Sequence, residues 1–127
     1  MSDEITLTLP RDRDFYGIAH LVLGGLAVRL DLTFEALEDL QVALASVLER
    51  PDAEGEINVT LRVDDHAVRA LVGPFERDGL HAHLRGAATD ELSVERLLEA
   101  VVDRVEIDER DDVAWIELTK SVPGGVG

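Results

Sequence analysis

The chain predicts an α+β fold in which helices pack on one face of a mixed or antiparallel sheet, and three observations carry that expectation. Ile5, Leu7 and Leu9 alternate with Thr6 and Thr8, and Ile57, Val59, Leu61 and Val63 alternate with Asn58, Thr60 and Arg62, the period of half-buried strands. Between these two runs stand two apolar patterns of helical period, each opening on a residue suited to capping a helix. The 127 residues, 46% of them hydrophobic, suffice for one buried core and not for two. A single domain over residues 1–120 with a frayed tail at 121–127 is therefore expected.

The first strand ends at Pro10, which cannot donate to a sheet ladder. Asp14 is placed to cap a helix that continues to about Leu30, with Phe15, Ile18, Val22, Leu26 and Leu30 on one face. Leu21, Leu23 and Ala27 widen its apolar surface, so it should be covered on more than one side. Gly24 and Gly25 weaken it by about 1 kcal/mol each relative to alanine, which suggests close approach of another backbone, inside the chain or from a second one. Thr33 caps the next helix, Glu35 suits its first turn, and Leu37, Leu40, Leu44, Val47 and Leu48 make its apolar stripe up to Pro51. Glu35, Glu38, Asp39 and Glu49 fall on the other side.

Ile57 to Val63 and Ala67 to Val72 form a hairpin about Asp64, Asp65 and His66, broken by Gly73 and Pro74. Phe75 to Thr89 has no clear period and predicts a mobile or partly extended segment. Ser93 caps a helix to about Val102, with Leu97, Leu98, Val101 and Val102 apolar. A last hairpin, Asp103–Asp108 with Val113–Lys120, places Trp115 on one face and Ala114, Ile116 and Leu118 on the other.

Charge and composition exclude several functions. Twelve basic against 27 acidic residues give a formal charge of -15, which repels phosphate backbones and anionic lipid, so no nucleic-acid partner is expected. Without cysteine there is neither disulfide nor thiolate metal site, and MSDEITLTLP is unlike a signal peptide, so a cytoplasmic protein is expected. The longest apolar stretch, Tyr16 to Val28, is interrupted by His20 and falls short of the roughly 20 residues of a membrane span.

The runs TyrGlyIleAlaHisLeu (16–21), GlyGlyLeuAlaValArgLeu (24–30) and ThrPheGluAlaLeuGluAspLeuGlnValAlaLeu (33–44) occur in this order, followed by LeuLeuGluAlaValValAspArgValGluIle (97–107) and TrpIleGluLeuThrLysSerVal (115–122). Together they resemble the anti-sigma factor serine-kinase family of bacterial partner-switching systems, within the histidine kinase-like (GHKL) ATPases of the Bergerat fold. The resemblance covers most of the chain, failing mainly between Val72 and Ser93. It implies a two-layer α/β sandwich with a mixed sheet and helices on one face, a role in transcription regulation, and a sigma factor or an anti-anti-sigma antagonist as partner.

The departures from the family's motifs concern its chemistry. The glutamate that the family uses as general base falls on Ser46, and the asparagine that holds magnesium falls on Arg50. Serine is no base near neutral pH, and a permanently cationic guanidinium repels a divalent ion. The aspartate that recognises adenine is missing from AlaLeuValGlyProPhe (70–75), where Gly73 stands near its place. LeuSerValGlu (92–95) replaces the glycines that wrap phosphates, and leucine and valine cannot copy their close approach. A degenerate ATP site without cofactor or metal is therefore expected, together with a partner-binding role on the first helix and first strand, most simply in a homodimer, as the resemblance implies. Arg13, His20, Leu23, Gly24, Ala27 and Arg29 are the candidate partner-binding residues. At His20 the family carries arginine, near the surface used for its partners; packing as a core histidine is the alternative.

Two other readings remain open. An active kinase could use Glu49 as its base and acidic residues near Asp90 for magnesium, with Mg-ATP as cofactor, or the pocket could serve another small ligand. His81 and His83 would share one face of a strand and could bind metal with His66 or an acidic residue, although exposed histidines in a mobile segment is the plainer reading. Glu38 and Asp39 are adjacent carboxylates, but helical neighbours point about 100° apart and both are expected on a solvated face.

Overall fold

A computed structural model describes residues 3–30, 32–48, 55–64, 66–85 and 93–121, with the side chains of Asp3, Arg13, Arg29 and Leu30 left aside. The elements run β1 (Asp3–Pro10), α1 (Arg13–Leu30), α2 (Phe34–Leu48), β2 (Glu56–Val63), β3 (Ala67–Glu76), α3 (Arg77–Arg85), α4 (Val94–Val101), β4 (Arg104–Arg110) and β5 (Val113–Ser121). The strands form one sheet in the order β1-β2-β3-β5-β4. Every pairing is antiparallel, so the mixed sheet implied by the family resemblance gives way to the antiparallel one, with β1 and β4 at its edges. Connections explain this: two hairpins, β2–β3 and β4–β5, meet through β3 and β5, and the paired helices lie in the two long connections.

One face of the sheet carries the core. Leu9, Ile57, Val59, Leu61, Val63, Val68, Ala70, Val72, Ala114, Ile116 and Leu118 are buried there in a single cluster with residues of all four helices. Period-2 alternation puts them on the helix side and leaves Asn58, Thr60, Arg62, Arg69, Leu71, Trp115, Glu117 and Thr119 on the open side. In the helix layer α1 packs on β1 and α2, α2 on α4, and α4 on α3.

The capping residues of α2 and α4 behave as expected. Thr33 Oγ1 accepts from the Ala36 amide at 3.1 Å, and Ser93 Oγ from the Arg96 amide at 3.2 Å. At α1 the cap is Asp12 and not Asp14: Asp12 Oδ1 accepts from the Asp14 amide at 3.0 Å and the helix begins at Arg13. The buried stripe of α1 is also rotated by about one residue from the expected one. Tyr16, Ala19, Leu23, Leu26 and Ala27 are buried, while Phe15 and Ile18 are exposed. Apolar residues occupy both stripes, so period alone cannot choose; the small Ala19 allows the helix to approach where a larger residue would hold it off.

Two further expectations are corrected. Gly73 and Pro74 do not end β3, which continues to Glu76 across a register shift between Val72 and Phe75 containing a cis Gly73–Pro74 peptide bond. The part of the 75–89 segment described here is ordered, as the end of β3 and the helix α3; residues 86–89 lie outside the described part. Leu80 and Leu84, one turn apart, are buried in the core and account for the helix, with Asp78 in its first turn.

Candidate functional site

Of the residues singled out in the sequence, Ser46 and His83 meet at the end of α2, and the candidate partner residues lie along α1. Ser46, in the last turn of α2, donates its hydroxyl to Val42 O at 2.8 Å, a bond back onto its own helix. Its carbonyl oxygen in turn accepts from His83 Nε2 at 2.7 Å, which assigns the donor role to the imidazole because a carbonyl can only accept. α2 has no basic residue in its last turn to meet its orphan carbonyls, and α3 supplies the donor from outside. Backbone and hydroxyl of Ser46 are thereby both engaged.

The helix also decides the histidine question. Two residues apart in a helix, His81 and His83 point to different sides, so they do not share a face. His81 Nε2 bonds to the Glu109 carboxylate on β4 while His83 turns to α2. His66 is exposed in the β2–β3 turn, and among the described residues no group of three or more His, Cys, Asp or Glu side chains is arranged to hold a metal. The plainer expectation, exposed histidines in a mobile segment, is corrected as well: both rings are bonded and half-buried.

Gly73 and Ser46 are not brought together. Gly73 faces the open side of the sheet beneath the indole of Trp115, where a Cβ at position 73 would come 2.6 Å from Trp115 Cδ2. Arg50, Glu49, Asp90 and Leu92 lie outside the described residues. Of the acidic pair on α2, Glu38 is exposed, but Asp39 is half-buried and not solvated as expected: its Oδ2 lies 3.0 Å from Lys120 Nζ. The same ammonium donates to Val101 O at 3.0 Å, so Lys120 ties β5 to α2 and to the end of α4. Asp64, at the β2–β3 turn, accepts from the amides of His66 and Ala67 and from Arg69 Nη1. The His66 amide first, and Arg69 and the Ala67 amide after it, lower its pKa to about 2.

Along α1, the structure divides the candidate partner residues. Leu23 and Ala27 are buried and are not on the surface of the folded chain. His20 and Gly24 are half-buried, and the side chains of Arg13 and Arg29 lie outside the described part. Nothing lies within 4 Å of the space a Cβ would take at Gly24 or Gly25, so no internal backbone contact among the described residues accounts for these glycines. The outward stripe is Phe15, Ile18, Leu21 and Val28, the last two 77% and 84% exposed, with Phe34 at the start of α2 also exposed.

The sequence and the fold are similar to those of known proteins. The serine-protein kinase RsbW of Listeria monocytogenes serotype 4a (strain HCC23) is 33% identical over 99 residues, 60% of this chain and 63% of that protein. RsbW of Listeria innocua is 31% identical over 79 residues, and the chain spans only half of its length. RsbW of Bacillus subtilis (strain 168) is 24% identical over an alignment of 143 positions, taking in 97% of this chain and 88% of that one. Among solved structures, the RsbU and RsbW domains of Rv1364c from Mycobacterium tuberculosis superpose with a TM-score of 0.66 over 96% of this chain and 33% of theirs, at 18% identity. The sequence likenesses support a family of RsbW-like anti-sigma factors, and the superposition, at 18% identity, shows the fold alone. No protein-family model matches the chain. The RsbW likeness extends over nearly the whole chain at low identity, so it speaks for the scaffold more than for any one side chain.

Sequence reasoning named His83 only as a possible metal ligand, missing its bond to α2, and missed Lys120 altogether. The signal for His83 was available: Leu80 and Leu84 at a spacing of four, with Asp78 ahead of them and Arg85 behind, is a short amphipathic helix. Nothing in the sequence marks Lys120, whose partners lie 81 and 19 residues away.

Proposed function

We propose that this chain is an anti-sigma-factor-like regulator that binds a protein partner, a sigma factor or an anti-anti-sigma antagonist, and does not hydrolyse ATP. The observation that carries this reading is the state of Ser46. It stands where the resemblance calls for a general base, its hydroxyl is committed to Val42 O, and its carbonyl is held by His83. A serine hydroxyl is too weak a base to take a proton from an attacking nucleophile near neutral pH, and this one is turned back onto its own helix. The helix α3, anchored by Leu80 and Leu84, adds a packed element beside this position.

The partner surface is the outward stripe of α1 with the edge of β1. Leu21 and Val28 expose apolar area on a helix that also carries His20 and Gly25, and β1 presents an unpaired sheet edge. A homodimer through these two elements is the simplest arrangement. The tests are calorimetric titration of the full chain with Mg-ATP, light scattering, and binding to sigma factors and antagonist proteins encoded nearby. The reading expects no ATP binding at micromolar concentration, a dimer, and capture of one such protein by the wild type but not by Leu21→Asp/Val28→Asp. Micromolar Mg-ATP affinity would restore the kinase reading, which the name of the RsbW relatives favours. A monomer indifferent to both classes of partner would sink the proposal.

A further inference from the structure

The open face of the sheet holds a feature that neither α1 nor the end of α2 uses. The register shift in β3 sets Gly73 and Pro74 opposite the single residue Trp115, and the indole lies down over Gly73 because that position has no Cβ. Beside the ring is a hollow of about 330 Å3, floored by Leu71, Trp115 and Val113 and flanked by Asp108 and Arg110. Asp108 is the cross-strand partner of Trp115, and Glu117, the partner of Leu71, stands two residues further along β5 on the same face.

The charges on this face are unevenly satisfied. Arg62 pairs with Glu4, Arg69 with Asp64, and Arg104 with Glu106. The side chains of Asp108 and Glu117 have no hydrogen bond or ion pair among the described residues, and neither has that of Arg110, at the rim by the β4–β5 turn. Glu117 lies directly across from Glu106, whose charge Arg104 meets, so of the two it is Glu117 that is left without a cation among the described residues. An electron-rich indole face, an apolar floor and two unpaired carboxylates in a chain of net charge -15 are complementary to a guanidinium on an aliphatic stem.

The geometry points to a docking site for an arginine-bearing, extended segment of a basic protein partner, with one arginine laid on Trp115 between Asp108 and Glu117. A small free cation fits less well, because the hollow opens along a broad sheet face and cannot enclose most of a small ligand. The neighbouring residues of a peptide can instead lie along Thr60 and Thr119, which continue the face on either side. The site lies on the opposite side of the sheet from α1 and does not depend on the anti-sigma reading.

Trp115 is the only tryptophan, so its fluorescence reports the site directly. The experiment titrates the full chain with the peptide acetyl-Thr-Arg-Val-Arg-Thr-amide, with its citrulline counterpart, and with tetramethylammonium chloride. The expected result is a saturable change in Trp115 emission with the arginine peptide, and a response about tenfold weaker with citrulline. In Asp108→Asn/Glu117→Gln the response is lost, whereas Glu38→Gln/Glu99→Gln, with the same change in net charge elsewhere, keeps it. Arg110→Gln tightens binding by removing a like charge. Far-UV circular dichroism confirms that each variant is folded. Equal binding of the two peptides, a response that survives Asp108→Asn/Glu117→Gln, or no saturable change at millimolar peptide overturns the proposal. Saturation by tetramethylammonium below the peptide's concentration assigns the hollow to a small cation and overturns it too.

Discussion

At the scale of single residues, three side chains make claims that can be measured. Gly73 is required by the ring above it: with a Cβ 2.6 Å from Trp115 Cδ2, Gly73→Ala must displace the indole or bend β3. We expect about 1–3 kcal/mol of destabilisation by urea unfolding, with a change in Trp115 emission. Lys120 is held by Asp39 and by Val101 O, and its side chain is mostly covered, so Lys120→Met leaves both acceptors short of a donor. Urea unfolding should show a loss of about 1–2 kcal/mol. Asp64 belongs to acid stability. Its pKa is lowered from 3.8 to about 2 by the His66 amide first and Arg69 next. A depressed carboxylate contributes stability that is complete above its unfolded value and is lost as pH falls through its folded one. Between about pH 4 and pH 2, Asp64→Asn should therefore lose less stability than the wild type does, read from urea midpoints at each pH. None of these three roles is visible in the sequence, since each depends on a contact made by folding.

At the scale of elements, the strands were legible and the helices only partly so. The alternation of Ile57 to Val63 names the buried face of β2 without error, because period 2 leaves one choice of side. On α1 two apolar stripes compete, and which of them meets the sheet is decided by packing, with Tyr16 and Ala19 inside and Phe15 and Ile18 outside. The helix α3 was hidden by its low hydrophobicity: Gly79, His81, Ala82 and His83 dilute the pattern, yet two leucines one turn apart are enough to bury a short helix once the sheet and α4 are present. Leu80→Ala tests this directly. If α3 is packed as described, a fully buried leucine there should cost about 2–5 kcal/mol on truncation, measured by thermal or urea unfolding. A change within about 0.5 kcal/mol would return the segment to the exposed, mobile state its sequence suggests.

At the scale of the whole molecule, the fold class and the order of elements other than α3 followed from pattern, but the choice between a mixed and an antiparallel sheet did not, because strand direction is settled by how the long connections return. At the candidate site the sequence offered the identity of Ser46, whereas its setting beside His83 depended on the fold. The sheet order has a kinetic and energetic corollary. β2 with β3, and β4 with β5, are joined by short turns, but β1 meets β2 only after the intervening helices have been brought round, with Pro10 opposite Glu56 and Asp3 opposite Val63. Closing so long a loop costs chain entropy, and β1 returns only one fully buried side chain, Leu9, together with the partly buried Ile5 and Leu7. Its amides should exchange with deuterium faster than those of Val59 to Val63, by local opening that leaves the remaining sheet intact. A binding partner that completes the free edge of β1 would thus act as a latch on the least stable seam of the molecule, and its arrival would be registered as slowed exchange along residues 3–10.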